Sequence, residues 1–216
     1  MIDSDNYSEL PKKQLQLITT ATELFYKHGI RRVTIEEVCK NANVSKMTFY
    51  KYFSNKWDIA KTILDMVFEV GVQLYHDIID EDIPFVQKVE EILKLTMARV
   101  HGAGVGSALI EDVAAEDSPL HDHFVEQQKV SRQLAIDFFT NAQKKGFIHS
   151  DIEMPVLLFM LNRLSDLLNH PEFVSIKPRI EDRIYELSSL FFHGFSRIAD
   201  TNGPLNGQNN VKNSHP

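Results

Sequence analysis

NANVSKMTFYKYFSNK, residues 41–56, places a turn, a helix start and a run of aromatic and basic side chains in one short stretch. Asn43 tolerates the positive φ of a tight turn, which most residues resist. Ser45 is a typical N-cap, because its hydroxyl can accept from a free backbone N–H in the first helical turn. We therefore expect a short helix from Ser45 to about Phe53, directly after a turn.

The residues before this stretch predict two further helices. Residues 12–28 carry apolar side chains at three- and four-residue spacing, and Gly29 supplies the stop. Thr34 and Glu37 match a capping box, in which the side chain of each residue accepts a hydrogen bond from the backbone N–H of the other. A helix, a tight turn and a second helix within about twenty residues form the helix-turn-helix pattern.

The rest of the chain also has helical periodicity. Ser54 is expected to cap a fourth helix that runs to Asp80, and Pro84 to occupy the first position of a fifth. Further helices are predicted over residues 105–115, 119–145, 154–169 and 177–193. No segment alternates as a half-buried strand does. The predicted fold is all-α, with about nine helices.

Three regions of the C-terminal part are distinctive. Residues 102–106 are rich in glycine and predict a flexible joint. The last two helices are so apolar that each is expected to be buried on more than one side. Residues 200–216 are rich in asparagine and glycine and are predicted to be disordered.

The charge of the chain is unevenly distributed. Residues 10–60 hold nine lysines and arginines against four acidic residues, whereas the whole chain carries a net charge of −7. The overall acidity argues against a protein that coats nucleic acid with its whole surface. A basic N-terminal segment in an otherwise acidic chain indicates two functional parts.

The composition indicates a cytoplasmic protein without cofactor or membrane span. The longest apolar runs are much shorter than the roughly 20 residues of a transmembrane helix. Residues 1–13 lack the apolar stretch of a secretory signal. The single cysteine, Cys39, excludes an intramolecular disulfide.

The helix that follows Ser45 has two different sides. At 100° per residue, Phe49 and Phe53 share one side, and Met47 and Lys51 lie nearly opposite. Its flanks carry the hydroxyls of Thr48 and Tyr50. An apolar tip, cations and hydroxyls suit a DNA major groove, where they can meet a thymine methyl and phosphates. The alternative is a solvated amphipathic helix with no partner.

The pattern V-S-x-x-T-F-Y-x-Y-F-x-x-K, residues 44–56, resembles the N-terminal domain of TetR/AcrR-type transcriptional regulators. The resemblance extends over roughly residues 12–62. It implies a helix-turn-helix domain over residues 10–56 and a helical effector-binding and dimerisation domain over residues 57–199. It also implies a homodimer that represses a promoter and releases DNA when a small apolar or amphipathic effector binds.

The resemblance assigns residues to each function. Phosphate contacts are implied for Thr34, Thr48, Tyr50, Tyr52 and Lys56. Base contacts are implied for Lys46, Met47 and Lys51, and Ser45 completes the predicted DNA-binding set. A ligand cavity lined by apolar side chains is implied at Met66, Phe68, Leu74, Met97, Val100, Phe124, Phe138 and Phe139. A filled core is the alternative for each of these eight. The last two helices would pair with their copies in a partner.

Three positions depart from the family pattern. Asn43 and Met47 stand where family members commonly have glycine, so the operator sequence cannot be inferred from that of a related protein. Cys39 replaces a small residue and is expected to pack between helices as a small hydrophobe, with redox sensing as the weaker alternative.

Other chemistry finds little support in the sequence. The glycines of residues 102–106 follow a helix rather than a strand, unlike a nucleotide-binding loop. His121 and His123 point nearly opposite ways on a helix, so no metal site is predicted. No nucleophile elbow or paired-carboxylate motif is present, and we expect no enzyme.

We therefore expect a ligand-responsive repressor that binds double-stranded DNA at a pseudo-palindrome. Its two recognition helices would lie about 34–36 Å apart, in successive major grooves. One alternative is a DNA-binding regulator without a small-molecule effector. A second is an enzyme or a helical scaffold that uses the front domain for protein contacts.

Overall fold

The computed structural model of the chain describes residues 9–101 and 107–195, except the side chains at 97–101, 107, 162, 165 and 191–195. Every regular element in these ranges is an α-helix, and no helix in them is long and apolar enough to cross a membrane. The helices are α1 (Lys12–His28), α2 (Ile35–Asn41), α3 (Lys46–Tyr52), α4 (Lys56–Asp80), α5 (Phe85–His101), α6 (Ser107–Ala114), α7 (His121–Lys144), α8 (Met154–Leu168), α9 (Pro171–Ile176) and α10 (Ile180–Phe195). The predicted joint at 102–106 and the predicted tail at 200–216 lie outside the described residues.

The local signals of the first three helices are confirmed. Gly29 ends α1 with a φ of 79°, and its N–H donates to the Phe25 carbonyl at 2.9 Å. Thr34 and Glu37 form both hydrogen bonds of the capping box at the start of α2. Asn43 adopts a φ of 52° between α2 and α3. Ser45 caps α3, where its Oγ accepts from the Thr48 N–H at 3.1 Å.

The start of α4 corrects one prediction. Asn55, rather than Ser54, is the N-cap, and its Oδ1 accepts from the N–H groups of Trp57 at 2.8 Å and Asp58 at 3.1 Å. The Ser54 N–H instead donates to the Asp58 carboxylate at 2.8 Å. Asn55 is therefore held in place by two helical amides, while Ser54 lies one residue outside the helix.

Three other helices begin later than predicted, and one of them is α10, which begins at Ile180 rather than at Lys177. Helix α5 begins at Phe85, and Pro84 precedes it with its carbonyl accepting from the Lys88 N–H at 3.0 Å. Helix α7 begins at His121 rather than at Pro119. Ser118 forms a turn instead, because its Oγ accepts from the Leu120 N–H at 3.2 Å and its carbonyl from the His121 N–H at 3.1 Å.

A short helix that the sequence analysis missed, α9, makes the described helices ten rather than about nine. The buried guanidinium of Arg183 explains its position. Its Nε donates to the Leu168 carbonyl at 2.7 Å, and its Nη1 to the carbonyls of Lys177 at 2.6 Å and Pro178 at 2.7 Å. Arg183 thus ties the end of α8 to the start of α10, and α9 fills the corner between them.

The first hydrophobic core joins α1, α2, α3 and the first half of α4 to α6. Phe25, Phe49 and Ile63 are fully buried at its centre, and Leu109 and Val113 of α6 belong to it. This core crosses the position at which the sequence predicts a domain boundary, between residues 56 and 57. The predicted domain ranges remain a prediction.

The second core lies among α5, the second half of α7, α8 and α10. Helices α8 and α10 were expected to be buried on more than one side, which is wrong for the single chain. Each buries one side and exposes large apolar side chains on another. The exposed set is Val156, Phe159, Met160 and Leu167 of α8, with Tyr185 and Leu190 of α10.

Candidate nucleic-acid interface

Two phenylalanines fix α3 to the N-terminal helices. Phe49 is fully buried and Phe53 nearly so, and their ring centroids lie 5.7 Å apart. The turn before α3 is fixed as well, because the Val44 N–H donates to the Cys39 carbonyl at 3.0 Å and Ala42 is buried. Helix α3 is therefore held at both ends against a packed core, as the sequence predicts.

The opposite side of α3 is open to solvent. Met47 is 82% exposed and Tyr50 is 58% exposed, and Lys46 and Lys51 are also exposed. An exposed methionine on a short, rigid helix has no role in the fold of the single chain. A thioether, a phenol and ammonium groups on one rigid surface can contact base edges and phosphates in a major groove.

Lys46 has a partner within the domain. Its Nζ donates to Oε1 of Glu36 on α2. This hydrogen bond and the attraction of the opposite charges lower the pKa of Glu36 and raise the pKa of Lys46 from their ordinary values. This bond leaves two N–H groups of Lys46 for DNA, and Glu36 presents a negative charge next to the surface predicted to bind DNA.

Three residues of the predicted DNA-binding set, Thr34, Ser45 and Thr48, form hydrogen bonds at the starts of α2 and α3. Thr34 Oγ1 donates to Glu37 Oε2 at 2.9 Å and accepts from the Glu37 N–H at 3.2 Å. The Thr34 N–H also donates to the Glu37 carboxylate, and the Thr48 N–H donates to the Ser45 hydroxyl. The hydroxyls of Ser45 and Thr48 lie 3.0 Å apart. The hydrogen bond to Thr34 lowers the pKa of Glu37 below its ordinary value. A phosphate contact by Thr34 would have to share its hydroxyl with this cap.

Lys56, for which a phosphate contact is predicted, forms hydrogen bonds within the domain. Its Nζ donates to the carbonyls of Arg31 at 2.7 Å and Val33 at 3.2 Å, in the loop between α1 and α2. In this conformation the ammonium group stabilises the loop that precedes α2, and its predicted phosphate contact stays a prediction. One of its three N–H groups is left over from these two bonds.

Lys51 and Tyr52 lie together at the end of α3. The Lys51 Nζ is 5.5 Å from the centroid of the Tyr52 ring, and Tyr52 packs half-buried against the first core. Such a cation–π contact is worth about 0.5–1 kcal/mol at an exposed site. It orients the ammonium group without neutralising it, so Lys51 keeps its charge for a DNA partner.

The sequence does not indicate which residues join this domain to the following helices. The Arg31 N–H donates to Asp112 Oδ2 of α6 at 2.9 Å, and the Arg31 guanidinium pairs with Asp117 in the turn after α6. The hydrogen bond to Asp117 raises the pKa of Arg31 and lowers that of Asp117. No local pattern indicates a contact between residues more than eighty positions apart.

The residues predicted to line one ligand cavity do not come together. Met66 is buried in the first core, and Phe124 packs against the same core. Phe139 is buried in the second core, and Phe138 packs against it. Leu74 is exposed in a groove between α4 and α5, and Phe68 is half-buried on α4. The side chains of Met97 and Val100 lie outside the described residues.

Two open spaces occur near these residues. A groove of about 760 Å³ is lined by Leu74, Ile78, Leu95 and several acidic side chains. A smaller pocket of about 210 Å³ lies between the α4–α5 loop and the end of α7, with Phe138 in its wall. Each space contains one of the predicted ligand residues.

Metal and thiol chemistry have no visible site in the described part of the chain. No cluster of histidine, cysteine and acidic residues there could hold a metal ion. His121 Nδ1 lies 2.9 Å from the Ala114 carbonyl, whereas His123 Nε2 lies 2.5 Å from Asp65 Oδ1. Cys39 is buried as expected, and burial raises the pKa of its thiol.

Comparisons with known proteins agree with this geometry. Residues 17–63 match the family described as bacterial regulatory proteins, tetR family. The uncharacterized HTH-type transcriptional regulator YvkB of Bacillus subtilis (strain 168) is 23% identical over 168 residues, which cover 69% of this chain and 82% of that protein.

Solved structures share the fold. A regulatory protein TetR from Rhodobacter sphaeroides matches with a TM-score of 0.63 at 19% identity, over 86% of this chain and 100% of that chain. A gamma-butyrolactone receptor described as an ArpA-like protein matches with a TM-score of 0.62 at 20% identity, over 87% and 88% of the two chains. Residues 17–63 therefore match the tetR family, the described helices share the fold of TetR-family structures, and together these findings support a DNA-binding transcriptional regulator.

Proposed function

We propose that this regulator is a repressor that binds a pseudo-palindromic operator as a homodimer and leaves it when a small apolar or amphipathic molecule binds the C-terminal helices. The exposed side of α3, with Met47, Tyr50 and Lys51 on a helix anchored by Phe49, is the observation that carries the DNA-binding part. In this proposal residues 10–56 bind DNA and residues 57–199 bind the effector and the partner. A cytoplasmic location follows from the DNA partner.

The exposed sides of α8 and α10 support the homodimer. Phe159 is 58% exposed and Leu190 is 70% exposed, and four further large apolar side chains on these helices face solvent. Large apolar side chains exposed together on two packed helices are typical of an interaction site. Two copies of α8 and α10 would bury it in a four-helix interface.

The contacts of α6 support a coupling between the two parts. Gly29 and Arg31 of the DNA-binding part lie against Asp112 of α6, and Arg31 also pairs with Asp117. A displacement of α6 would therefore move the α1–α2 loop. An effector changes DNA affinity only if it binds better to a conformer in which the two recognition helices have a different spacing.

One observation favours a second candidate, a TetR-family regulator that has no small-molecule effector. Within the described residues, four of the side chains predicted to line one cavity are divided between two cores, with Met66 and Phe124 in the first and Phe138 and Phe139 in the second. In that case the groove of α4 and α5 and the pocket beside α7 would stay empty during regulation.

DNA binding at the flanks of its own gene is the first test. In fluorescence anisotropy at fixed salt, the protein should bind this DNA at least 100-fold more tightly than random DNA, since specific binding exceeds non-specific binding by about 10³ or more. The variant Met47→Ala/Lys51→Ala should lose this preference. The control Lys129→Ala, on α7, should keep it. Equal losses in both variants would contradict a DNA-reading role for α3.

The effector is tested separately. Compounds that raise the melting temperature of the protein should be added to the protein–operator complex, and an effector should release the DNA. If no stabilising compound from a broad library changes operator affinity, the second candidate is favoured.

A further inference from the structure

A semi-enclosed pocket lies where the loop between α4 and α5 meets the C-terminal end of α7. Its volume is about 210 Å³. Ile79 and Ile83 form one wall, and Phe85, Phe138 and Phe147 form the other. An engineered apolar cavity of about 150 Å³ binds benzene, so this space suits one aromatic ring or a short aliphatic chain with a small polar group.

The aromatic wall is a stack of three rings. The Phe85 and Phe147 rings are nearly parallel at 7°, with centroids 5.2 Å apart, and the Phe85 and Phe138 centroids are 5.6 Å apart at 24°. Offset-stacked rings at these distances attract one another. The stack therefore gives the pocket a rigid, apolar aromatic wall.

The end of α7 explains why Phe147 is at the mouth of this pocket. Gly146 has a φ of 79°, its N–H donates to the Gln143 carbonyl at 3.0 Å, and the Phe147 N–H donates to the Ala142 carbonyl at 3.0 Å. These two bonds form a Schellman motif, in which the residue after the glycine packs back on the last helical turn. Phe147 nevertheless remains 37% exposed, because the pocket lies beneath it.

The charged residues that line the pocket are both lysines. Lys88 donates one of its three N–H groups to the Ile79 carbonyl, which leaves two. Lys145 is exposed, and within the described residues no carboxylate forms an ion pair with it. Asn141, one turn earlier on α7, adds an amide to the rim.

The groove between α4 and α5 has the opposite charge. Asp77, Asp80, Glu81 and Glu91 line it, and its single lysine, Lys94, donates to Glu91 at 2.6 Å. A ligand with a negative charge is therefore repelled from the groove and attracted to the pocket beside α7. The two spaces select ligands by charge.

We propose that the pocket beside α7 binds a small amphipathic monocarboxylate, with its ring or chain against the phenylalanine stack and its carboxylate between Lys88 and Lys145. Binding at this site stands on the pocket alone, whereas a role of this ligand as effector rests on the proposed function. Asn141 would donate to the second carboxylate oxygen.

Calorimetry on the full-length protein tests the site with benzoate as the probe. Benzoate should bind, and benzyl alcohol, which has the same ring without a charge, should bind at least tenfold more weakly. Lys145→Gln should weaken benzoate binding about tenfold, because it removes a charge-assisted hydrogen bond. The control Lys144→Gln, at the neighbouring exposed lysine, should change it less than twofold.

Phe147→Ala should weaken benzoate and benzyl alcohol alike, since both rings use the stack. The inference is overturned if benzoate shows no binding at about 20 mM, since the lower bound on binding energy per atom gives a ligand of this size a Kd of about 10 mM. It is also overturned if Lys144→Gln and Lys145→Gln have equal effects. Binding of benzoate that leaves operator affinity unchanged supports the site and contradicts only its role in regulation.

Discussion

Arg31 pairs with Asp117 across 86 positions of the chain, with its Nη1 donating to Oδ2 at 3.0 Å and its Nη2 to Oδ1. The same residue donates its N–H to Asp112. The loop after α1 is therefore attached at two points to α6 and to the turn that follows it. These contacts lie between the DNA-binding helices and the helices proposed to respond to a ligand.

Removing the Asp112 carboxylate should destabilise the fold. Asp112→Ala leaves the Arg31 N–H without its acceptor, and we expect a loss of about 1–2 kcal/mol in the free energy of unfolding. Thermal unfolding followed by circular dichroism should show a melting temperature lower by several degrees. Glu116→Gln, an exposed acidic residue nearby, serves as the control and should unfold like the natural protein.

Two glycines with the same φ offer a matched comparison. Gly29 and Gly146 both have a φ of 79°. A Cβ at Gly29 would lie 2.6 Å from Asp112 Oδ2, whereas a Cβ at Gly146 would meet no atom within 4 Å. Gly146→Ala should cost about 1–2 kcal/mol from backbone strain. Gly29→Ala should cost about 3 kcal/mol in chemical denaturation, because its ψ of 159° is nearly exclusive to glycine and a close contact is added.

The ion pair of Asp117 should make stability depend on pH. Arg31 lowers the pKa of Asp117 from its ordinary value of 3.8, so the folded state favours the ionised carboxylate. This contribution is fully present above the ordinary value and is lost as the pH falls through the lowered value. Asp117→Asn should therefore melt slightly below the natural protein at pH 7 and together with it at about pH 2. Because the pair is exposed, 1 M salt should also reduce the difference. A difference that grows on acidification would contradict this assignment.

The salt dependence of DNA binding distinguishes a phosphate contact from a base contact. If each Lys51 of the proposed dimer neutralises one phosphate, Lys51→Ala should reduce the slope of log K against log salt by about 1.8, or about 0.9 for each protomer. Met47→Ala should leave the slope unchanged and alter the preference among operator variants, typically by about 1–3 kcal/mol at one base pair. Anisotropy titrations at four salt concentrations measure both effects.

The proposed dimer is tested by placing a charge on its surface. Phe159→Glu would bury a carboxylate without a partner in the interface, and we expect a change from dimer to monomer at micromolar concentration by analytical ultracentrifugation. Val130→Glu, which also replaces an exposed apolar side chain but lies on α7, should stay dimeric. If both variants have the same mass as the natural protein, the interface lies elsewhere.

The sequence predicts α1, α2 and α3 well because their limits depend on neighbouring residues. The capping box of Thr34 and Glu37, the positive φ of Asn43 and the Ser45 cap all act within four positions. The same local reasoning failed at Ser54, because Asn55 is an equally good cap and reaches two helical amides. Adjacent capping residues cannot be ranked without the three-dimensional arrangement.

Long-range contacts account for the other differences. The position of α9 depends on Arg183, whose three carbonyl partners come from the end of α8 and from the segment between α9 and α10. Lys56 points inward because the loop between α1 and α2 offers two carbonyls, and no local pattern encodes that loop's position. Apolar residues that fill a core and apolar residues that line a cavity have the same spacing, so Met66 and Phe139 were assigned to one cavity although they belong to different cores.

The chain contains a single tryptophan, Trp57, near the start of α4. Its backbone N–H donates to the Asn55 side chain, and its ring packs against the first core. Ile79, in the wall of the pocket beside α7, lies 22 residues further along the same helix, or roughly 33 Å at 1.5 Å per residue. A guest there is too distant to quench the indole directly. A change in the intrinsic fluorescence of the unlabelled protein on ligand binding would thus report a conformational change that extends from the pocket to the other end of α4.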